Sequence, residues 1–572
     1  MEKKKINGSR ILLECLYRLG VRDMFGYPGG SVIPIYDEIY KFDKIKHYFS
    51  RHEQGASHEA DGYARATGKV GVCLATSGPG ATNLVTGIMT AHMDSIPMLA
   101  ITGQVGSNML GKDAFQESDI VGITLPITKD SYLVTDIRDL PRIIKSSYYI
   151  ARTGRPGPVL IDIPKDIQLG EIDYEDFERL YEEKVELPGY DPTILGHAKQ
   201  IKTAIKYIKE AKKPLIIAGA GILKSKSSED LIEFARKTNI PVTTTLLGLG
   251  AYPCDDDLHL GMLGMHGTVA SNYATGEADL VIAAGIRFDD RITGNTDTFC
   301  AKAEIIHIDI DPAEIGKNMK VDVPIVGDLK NVLERFNNSI DKLEHKEWVD
   351  QVKAWKKEYP MVYEESKEGR LMPQQVLESL DGVLQGNAIV STDVGQHQMW
   401  AAQYLSFKRP NTILTSGGSG TMGYGLPAAI GAQVGQPDEK VVTIVGDGGF
   451  QMTYHELMML KQYNLPVKVV ILNNSYLGMV RQWQEIFNDR RYSFVDLSIN
   501  PDFGKIAQAY GIDYAKIETE DELGNNLRGL IESDRPVIIE CIVEKEANVL
   551  PMIPAGGSVA DLVGERGVLD YE

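Results

Sequence analysis

Cysteine is scarce: only Cys15, Cys73, Cys254, Cys300 and Cys541 occur among 572 residues, odd in number and never spaced C-x-x-C. Such a set gives neither a disulfide framework nor a zinc cluster, and it suits a reducing cytoplasm. Long apolar runs are missing too. Stretches such as 466–472 are only strand-length, so no membrane-spanning helix is expected. The first five residues are basic, but Glu14 and Arg18 interrupt the apolar stretch that follows, and no small-residue cleavage site appears. A helix ending at Gly20 is expected there rather than a signal peptide. Positive charge is in deficit, with 60 Lys and Arg against 79 Asp and Glu and a net charge of −19. That balance speaks against nucleic acid and membrane partners. It also means that any bound phosphate must find positive charge in metal ions or helix N-termini. Neither a G-x-x-x-x-G-K-[ST] loop nor H-E-x-x-H occurs, which argues against a P-loop or a zinc protease site.

What is present is a repeated unit of short apolar run, glycine turn and helical stretch. Residues 70–75 precede Gly78-Pro79-Gly80, 214–218 precede Gly219-Ala220-Gly221, 279–284 precede Gly285, and 440–445 precede Gly446-Asp447-Gly448. Strands of this kind, apolar on both faces and alternating with helices, build parallel sheets. The fold class is therefore α/β, and the length calls for several domains. Charged stretches at 174–186, 341–357 and 364–370 act as dividers. They give an N-terminal domain at 1–186, a central one at 187–345, a third at 370–545 and a tail at 546–572. Thr76-Ser-Gly-Pro-Gly-Ala-Thr82 also resembles Thr415-Ser-Gly-Gly-Ser-Gly-Thr421. Either the two are equivalent loops of duplicated domains, or glycine-rich turns look alike by chance.

The densest chemistry lies between 440 and 480. A strand runs into Gly446-Asp447-Gly448-Gly449, and a second ends in Asn473-Asn474 after a gap of 24 residues from Gly448. Glycines let phosphate oxygens approach the backbone, and the helix start behind them offers free N–H groups. Asp447 supplies a hard anionic oxygen and Asn474 a neutral one, a set suited to Mg²⁺ at the carboxyl ends of parallel strands. Either motif alone reads as a polar turn; the combination is specific. Gly418-x-Gly420-x-x-Gly423 satisfies a dinucleotide fingerprint literally, but Pro427 and the lack of a ribose acid argue against that reading. Gly219-Ala-Gly221 lacks a third glycine at 224.

The Gly-Asp-Gly and Asn-Asn pairs resemble the signature of thiamine-diphosphate enzymes. That resemblance implies a thiamine-diphosphate fold used twice, with a central α/β domain between, and Mg²⁺ held by Asp447, Asn474 and the carbonyl of Tyr476. Residues 51–65, R-H-E-Q-G-A-S-H-E-A-D-G-Y-A-R, look like the family's catalytic-glutamate segment. Glu53 alone reads as a helix-start carboxylate; the resemblance makes it the acid beside the cofactor's pyrimidine, reaching across a dimer interface. Ala56, Ala60 and Ala64 give its helix a smooth packing ridge. Met422 fits the apolar wedge under the cofactor, with a core methionine as the plain alternative.

Segments over nearly the whole chain are similar to the catalytic large subunits of the acetolactate synthase (acetohydroxyacid synthase) family. They include Tyr27-Pro-Gly-Gly30, Asp113-Ala-Phe-Gln-Glu117, and the stretches 155–166, 284–291 and 473–483. The resemblance implies a transferase that decarboxylates pyruvate and condenses the two-carbon fragment with pyruvate or 2-ketobutyrate, the first common step towards isoleucine, valine and leucine. It further implies Gln116 beside the thiazolium, and Gly30, Gln396, His397, Gly420, Gly446, Gly448, Gly449, Gly478 and Met479 against the cofactor. Arg291 would grip the acceptor carboxylate, Trp483 its extra methyl, and Lys165 the substrate channel; a surface ion pair, a core aromatic and a surface lysine are the plain alternatives. FAD is implied at Arg155, Gly221, Thr245, Leu246, His266, Gly285, Arg287, Asp289, Asp309 and Asp328. The family also implies a homodimer or homotetramer and a small regulatory subunit. A flavin-dependent pyruvate oxidase is the alternative activity. Residues 549–557 read as an ordered loop or lid, and the end after it as mobile.

Overall fold

A computed structural model describes residues 4–366 and 368–567. The end expected to be mobile therefore lies partly, at 568–572, outside the described residues, as do the first three of the basic start. The helix expected before Gly20 forms over Gly8–Arg18, capped by Asn7. Among the described residues no helix is long and apolar enough to cross a membrane, and all five cysteines are free.

Three six-stranded sheets carry the fold, and every strand pair within them is parallel. In spatial order the first runs Lys46–Phe49, Asp23–Gly26, Gly71–Ala75, Met98–Gln104, Pro158–Pro164, Asp130–Leu133. The third runs Ile413–Leu414, Ile389–Thr392, Val441–Gly446, Lys468–Asn473, Val537–Ile542, Asp513–Ile517. Numbered along the chain within each sheet, both have the order 2-1-3-4-6-5. The central sheet runs His259–Met262, Val242–Thr244, Pro214–Ala218, Leu280–Ala284, Glu304–Asp309, Val323–Val326, which is 3-2-1-4-5-6. Its order reverses between Pro214–Ala218 and Leu280–Ala284, the place where doubly wound sheets open a ligand crevice. The inner strands are apolar along their length because helices cover both faces; Gly71–Ala75 and Pro158–Pro164 are buried at every residue.

The shared order of the first and third sheets supports duplication, but it corrects the pairing of loops. Thr76–Thr82 follows the third strand of its sheet, whereas Thr415 follows the second of the other. By topology the partner of the Thr76 loop is Gly446-Asp447-Gly448, and the partner of the Thr415 loop is the turn that leads into Glu53. Similar glycine turns arose at inequivalent places.

Two helices after equivalent strands, Glu53–Thr67 and Gly425–Gly435, lie against each other. A Cβ on Gly62 would overlap the carbonyl of Ala428, and one on Gly431 would overlap that of Glu59. Ala56, Ala60 and Ala64 are buried in the same core as Ala429 and Ala432, with Ala60 against Gly71 of the first sheet; the helix crossing itself is made by Glu59, Gly62, Tyr63 and Thr67. Beside the crossing, buried Arg65 donates to Asp61 (2.6 Å), Asp94 (2.8 Å) and the carbonyl of Thr415 (2.9 Å). Tyr424 Oη donates to Asp61 at 2.6 Å, and Asp94 in turn receives Gly417 N and Gly418 N. The first and third sheets thus share one core and one buried ionic network.

The charged dividers are not linkers throughout. Tyr174–Glu182 is a helix that buries Phe177, and Lys346–Glu358 is a helix whose Trp348 Nε1 donates to the carbonyl of Pro214 at 2.9 Å. Their charges sit on the solvent face while one apolar stripe packs inward, a pattern that charge counting alone hides.

The helix crossing gives a direct expectation. Gly431→Val should destabilise the protein by about 1–3 kcal/mol through overpacking, read as a lower urea midpoint. An unchanged midpoint would show that the close approach carries no weight.

Candidate active site

Strands Val441–Gly446 and Lys468–Asn473 are neighbours, with Gly446 paired to Leu472. Asp447 and Asn474 therefore leave adjacent strands at the same carboxyl end, where the sequence places them. Asp447 starts the helix Asp447–Thr453 and is fully buried. Asn500 Nδ2 donates to its Oδ2 at 2.6 Å, while Oδ1 has no partner. Burial pushes its carboxyl up to about 7 despite the Asn500 hydrogen bond. A buried acceptor-only oxygen without a donor is a place for a cation, whose charge would restore the carboxylate. Asn474 is held by two hydrogen bonds: its Nδ2 donates to Gln396 at 3.3 Å, and its Oδ1 accepts Tyr476 N at 3.1 Å. Among the described residues no group of three His, Cys, Asp or Glu is arranged for a metal. A cation at Asp447 would thus draw on amide, carbonyl and ligand oxygens, which is the magnesium habit.

The glycines here have steric reasons. A Cβ on Gly446 would stand 2.9 Å from His397 Nδ1; one on Gly449 would overlap Asp393; one on Gly478 would overlap Gln396 Oε1 and stand 2.7 Å from Asn474 Nδ2. Gly448 faces Leu477, Leu497 and the tip of Met422. His397 is buried, held down to about 3 by desolvation, and so neutral. Gln396 Nε2 donates to Gln482 and to the carbonyl of Ala547, both at 2.8 Å, so its side chain braces the site from behind. Gly420 has a positive φ of 60°, which lets the chain turn before Met422.

A cavity of about 700 Å³ is lined by residues that follow strands of the central and third sheets and by 93–95 and 152–156 of the first domain. It takes in all ten residues that the sequence assigns to FAD: Arg155, Gly221, Thr245, Leu246, His266, Gly285, Arg287, Asp289, Asp309 and Asp328. It also takes in Arg291, Gly420, Met422, Met479 and Trp483. The volume suits a large ligand. Gly221 N donates to the carbonyl of Gly285 at 3.2 Å, so two glycine turns meet back to back at the switch point of the central sheet. Burial raises Asp309 to about 6. Arg155 is held by Glu314 at 2.7 Å and Asp311 at 3.3 Å. The Arg291 guanidinium lies 5.4 Å from the centre of the Trp483 ring, a cation–π contact between the central and third sheets. Its surface pairing with Asp290, at 3.5 Å, exists as well.

Asp447, Asn474 and Tyr476, with Gln396, His397, Gly446, Gly448, Gly449 and Gly478, do not line that cavity, and neither do Glu53, Gln116, Gly30 and Lys165. Glu53 is mostly buried at the start of its helix, and Asn83 Nδ2 donates to it at 3.0 Å. Gly80 lies against its carboxyl, and the main chain of Gln116, in the left-handed region at φ 61°, abuts Gly78. Gly30 follows Gly29, which is packed on Thr76 of the same loop, and Ser31 Oγ bonds Ser77 Oγ at 2.7 Å. Lys165 is exposed at the end of Pro158–Pro164, where Asp166 caps Ser107 N at 2.8 Å. The contacts of Asp447 (Asn500) and of Glu53 (Asn83, Gly80) share no residue, so the two form distinct clusters. Exposed apolar side chains adjoin both in the chain: Phe115 next to Gln116, and Ile499 next to Asn500.

Several contributors escaped the sequence reading. Asn500 reaches Asp447 from 53 positions away, in a loop with no motif. Asp393 accepts Gly423 N at 2.9 Å and Gly425 N at 3.1 Å and so fixes the turn around Met422. Its place at the end of the strand Ile389–Thr392 was the available signal. Arg481, fully buried, pairs with Glu485 and donates to Ala547 O and Asn548, and Gln482 exchanges two hydrogen bonds with Val549. The tail is thereby fastened to the Trp483 helix, and Ile553 N continues it onto the carbonyl of Met265.

The comparisons agree with this architecture. Models of the thiamine pyrophosphate enzyme family match in three parts: the N-terminal TPP binding domain over residues 6–123, the central domain over 201–336, and the C-terminal TPP binding domain over 393–541. The chain is 48% identical to the acetolactate synthase large subunit of Corynebacterium glutamicum, covering 99% of this chain and 92% of that one. It is 47% identical to the acetolactate synthase large subunit of Lactococcus lactis, covering 98% and 97%. With the Haemophilus influenzae protein of the same name the identity is 46%, covering 98% of both. Family models over most of the chain, relatives aligned end to end, and an orphaned carboxylate between two glycine-lined strand ends lead to one assignment: the chain belongs to the thiamine pyrophosphate enzymes and, among them, to the acetolactate synthase large subunits.

Proposed function

We propose that this chain is an acetolactate-forming carboligase: it decarboxylates pyruvate and joins the two-carbon fragment to a second pyruvate, giving acetolactate, or to 2-ketobutyrate, giving acetohydroxybutyrate. Thiamine diphosphate, when bound, supplies the electron sink that makes both steps possible. The chain's own residues bind, orient and manage protons. Asp447, Asn474 and the carbonyl of Tyr476 would hold Mg²⁺, and the glycine turn and helix start at 446–449 would receive the diphosphate. Met422 is the apolar wedge, and Gly30, Gln396, His397, Gly420, Gly478 and Met479 shape the surroundings. Glu53 holds a proton beside the pyrimidine, and Gln116 stands by the reacting ring. Arg291 takes the acceptor's carboxylate, and Trp483 rewards its extra carbon. Lys165 lies on the approach. FAD would occupy the crevice of the central sheet with a structural role.

The observation that carries the reading is the Arg291–Trp483 contact within the cavity of Met422 and Met479, which offers one cation and one aromatic face to a small 2-keto acid. Two clusters on one chain, each adjoined in the chain by an exposed apolar side chain, support a homodimer or homotetramer whose sites combine Glu53 of one subunit with Asp447 of another. A small regulatory subunit and a cytoplasmic location, the latter in keeping with five free cysteines, complete the proposal.

Incubation with pyruvate, thiamine diphosphate, Mg²⁺ and FAD tests it. Acetolactate should accumulate, detected as acetoin after acid treatment, and 2-ketobutyrate should divert the product to acetohydroxybutyrate. Stoichiometric bleaching of the flavin with acetate as product would instead mark an oxidase. Glu53→Gln should lower kcat by about a hundredfold or more while cofactor affinity holds; wild-type turnover would remove its role. Trp483→Leu should reduce the preference for 2-ketobutyrate over pyruvate by about tenfold, and an unchanged product ratio in competition would take Trp483 out of the acceptor pocket.

A further inference from the structure

Glu456 has no part in the chemistry above, yet it is fully buried and points at the segment that carries Glu53. It closes the turn Tyr454–Glu456 that continues the helix begun at Asp447. Its Oε2 accepts Arg51 N at 2.9 Å, and its Oε1 accepts Arg51 N at 3.1 Å and His52 N at 3.0 Å. These are the two backbone N–H groups immediately before Glu53. Gly55 leaves room for the carboxylate, since a Cβ there would overlap Glu456 Oε1. On the far side stands Glu59, also fully buried, whose Oε2 accepts Ser50 Oγ at 2.6 Å. Residues 50, 51 and 52 are therefore each fastened to one of two adjoining carboxyls.

Burial first, and then the neighbouring Glu456, keep Glu59 well above the ordinary carboxylate range, and burial raises Glu456 to about 7 against the N–H groups of Arg51 and His52. Both oxygens of Glu456 are taken up by those two N–H groups, and Glu59 Oε1 has no hydrogen-bond partner among the described residues. The other titratable groups facing the pair are Arg51, Tyr463 beside Glu59, Tyr510 beside Glu456, and His455, whose Nε2 lies 3.7 Å from Glu456. The His455 ring in turn faces that of His52, 5.9 Å away between centroids.

We propose that Glu456, backed by Glu59, is a positioning residue that fixes residues 50–52 and thereby sets where the Glu53 carboxyl stands. The proposal rests on the reading of Glu53 as the acid beside the cofactor's pyrimidine. It adds that the stretch of chain beginning at the proposed cation ligand Asp447 also aims Glu53. A carboxylate suits the task because one neutral amide oxygen cannot accept both N–H groups as well, and its NH₂ would face a donor.

The test uses the holoenzyme with thiamine diphosphate, Mg²⁺ and FAD. The readouts are deuterium exchange at the cofactor's thiazolium carbon by quenched NMR, thiamine diphosphate affinity, and amide exchange of the peptide covering residues 50–56 in cofactor-free protein. Glu456→Gln should slow thiazolium exchange by about tenfold to a hundredfold, speed amide exchange at 51 and 52, and leave cofactor affinity nearly unchanged. Gly55→Ala, which displaces the carboxylate without removing it, should do the same and decides the matter alone where the first variant fails to fold. Wild-type thiazolium exchange in both Glu456→Gln and Gly55→Ala overturns the proposal, and so does a matching loss of thiamine diphosphate affinity in both, which would mark a general packing effect. If Glu53→Gln itself exchanges at the wild-type rate, the reading of Glu53 fails first and this proposal with it.

Discussion

Two helices that touch through glycine hold the rest of the molecule in place. Gly62 lies on Ala428 and Gly431 on Glu59, so Glu53–Thr67 and Gly425–Gly435 approach at backbone distance and lock the first sheet to the third. Each helix starts at a functional loop: one begins with Glu53, the other follows Gly420 and Met422. The ionic network beside the crossing reaches the same loops, because Asp94 takes the N–H groups of Gly417 and Gly418 and Arg65 takes the carbonyl of Thr415. One contact therefore sets the placement of both clusters. Breaking one member of such a buried network leaves uncompensated charge, typically at about 3–5 kcal/mol.

The acidic character of the chain poses a problem that the fold answers locally. A diphosphate repelled by a net charge of −19 would, on the proposed reading, be received at a helix start and beside a carboxylate whose second oxygen has no partner among the described residues. Burial does the rest: it keeps His397 neutral and removes competing water from Asp447. The negative charge at Asp393 is not free to repel an anion, because Gly423 N and Gly425 N hold it. The charges near the site are thus committed to backbone groups, and the proposed cation is left to face the phosphates.

Much of this was legible in the sequence, and the reasons are physical. Strand, glycine turn and helix have distinct periods, so the parallel sheets and the ends of the strands before Asp447 and Asn474 could be read directly. The ten residues assigned to FAD came from resemblance and fall in one cavity: nine lie at or after the carboxyl ends of strands in the central sheet, and Arg155 joins them from the loop before Pro158–Pro164. Glu53 had no local mark beyond its helix start. Contacts made by distant segments left no trace: Asn500 on Asp447, Arg65 on Asp94, Glu456 on Arg51 and His52. The glycine-rich echo misled because turn composition reports local conformation, whereas equivalence is set by strand order. The charged dividers misled because an amphipathic helix shows its charges and hides its stripe.

The central claim is that a working site takes Glu53 from one chain and Asp447 from another, and mixing two inactive variants tests it most directly. Glu53→Gln and Asp447→Asn should each be nearly inactive alone. After unfolding and refolding together, random pairing should give mixed dimers with one intact site, restoring about a quarter of the wild-type rate. If the mixture stays as inactive as its components although mixed dimers form, the site lies within one chain and the account is wrong.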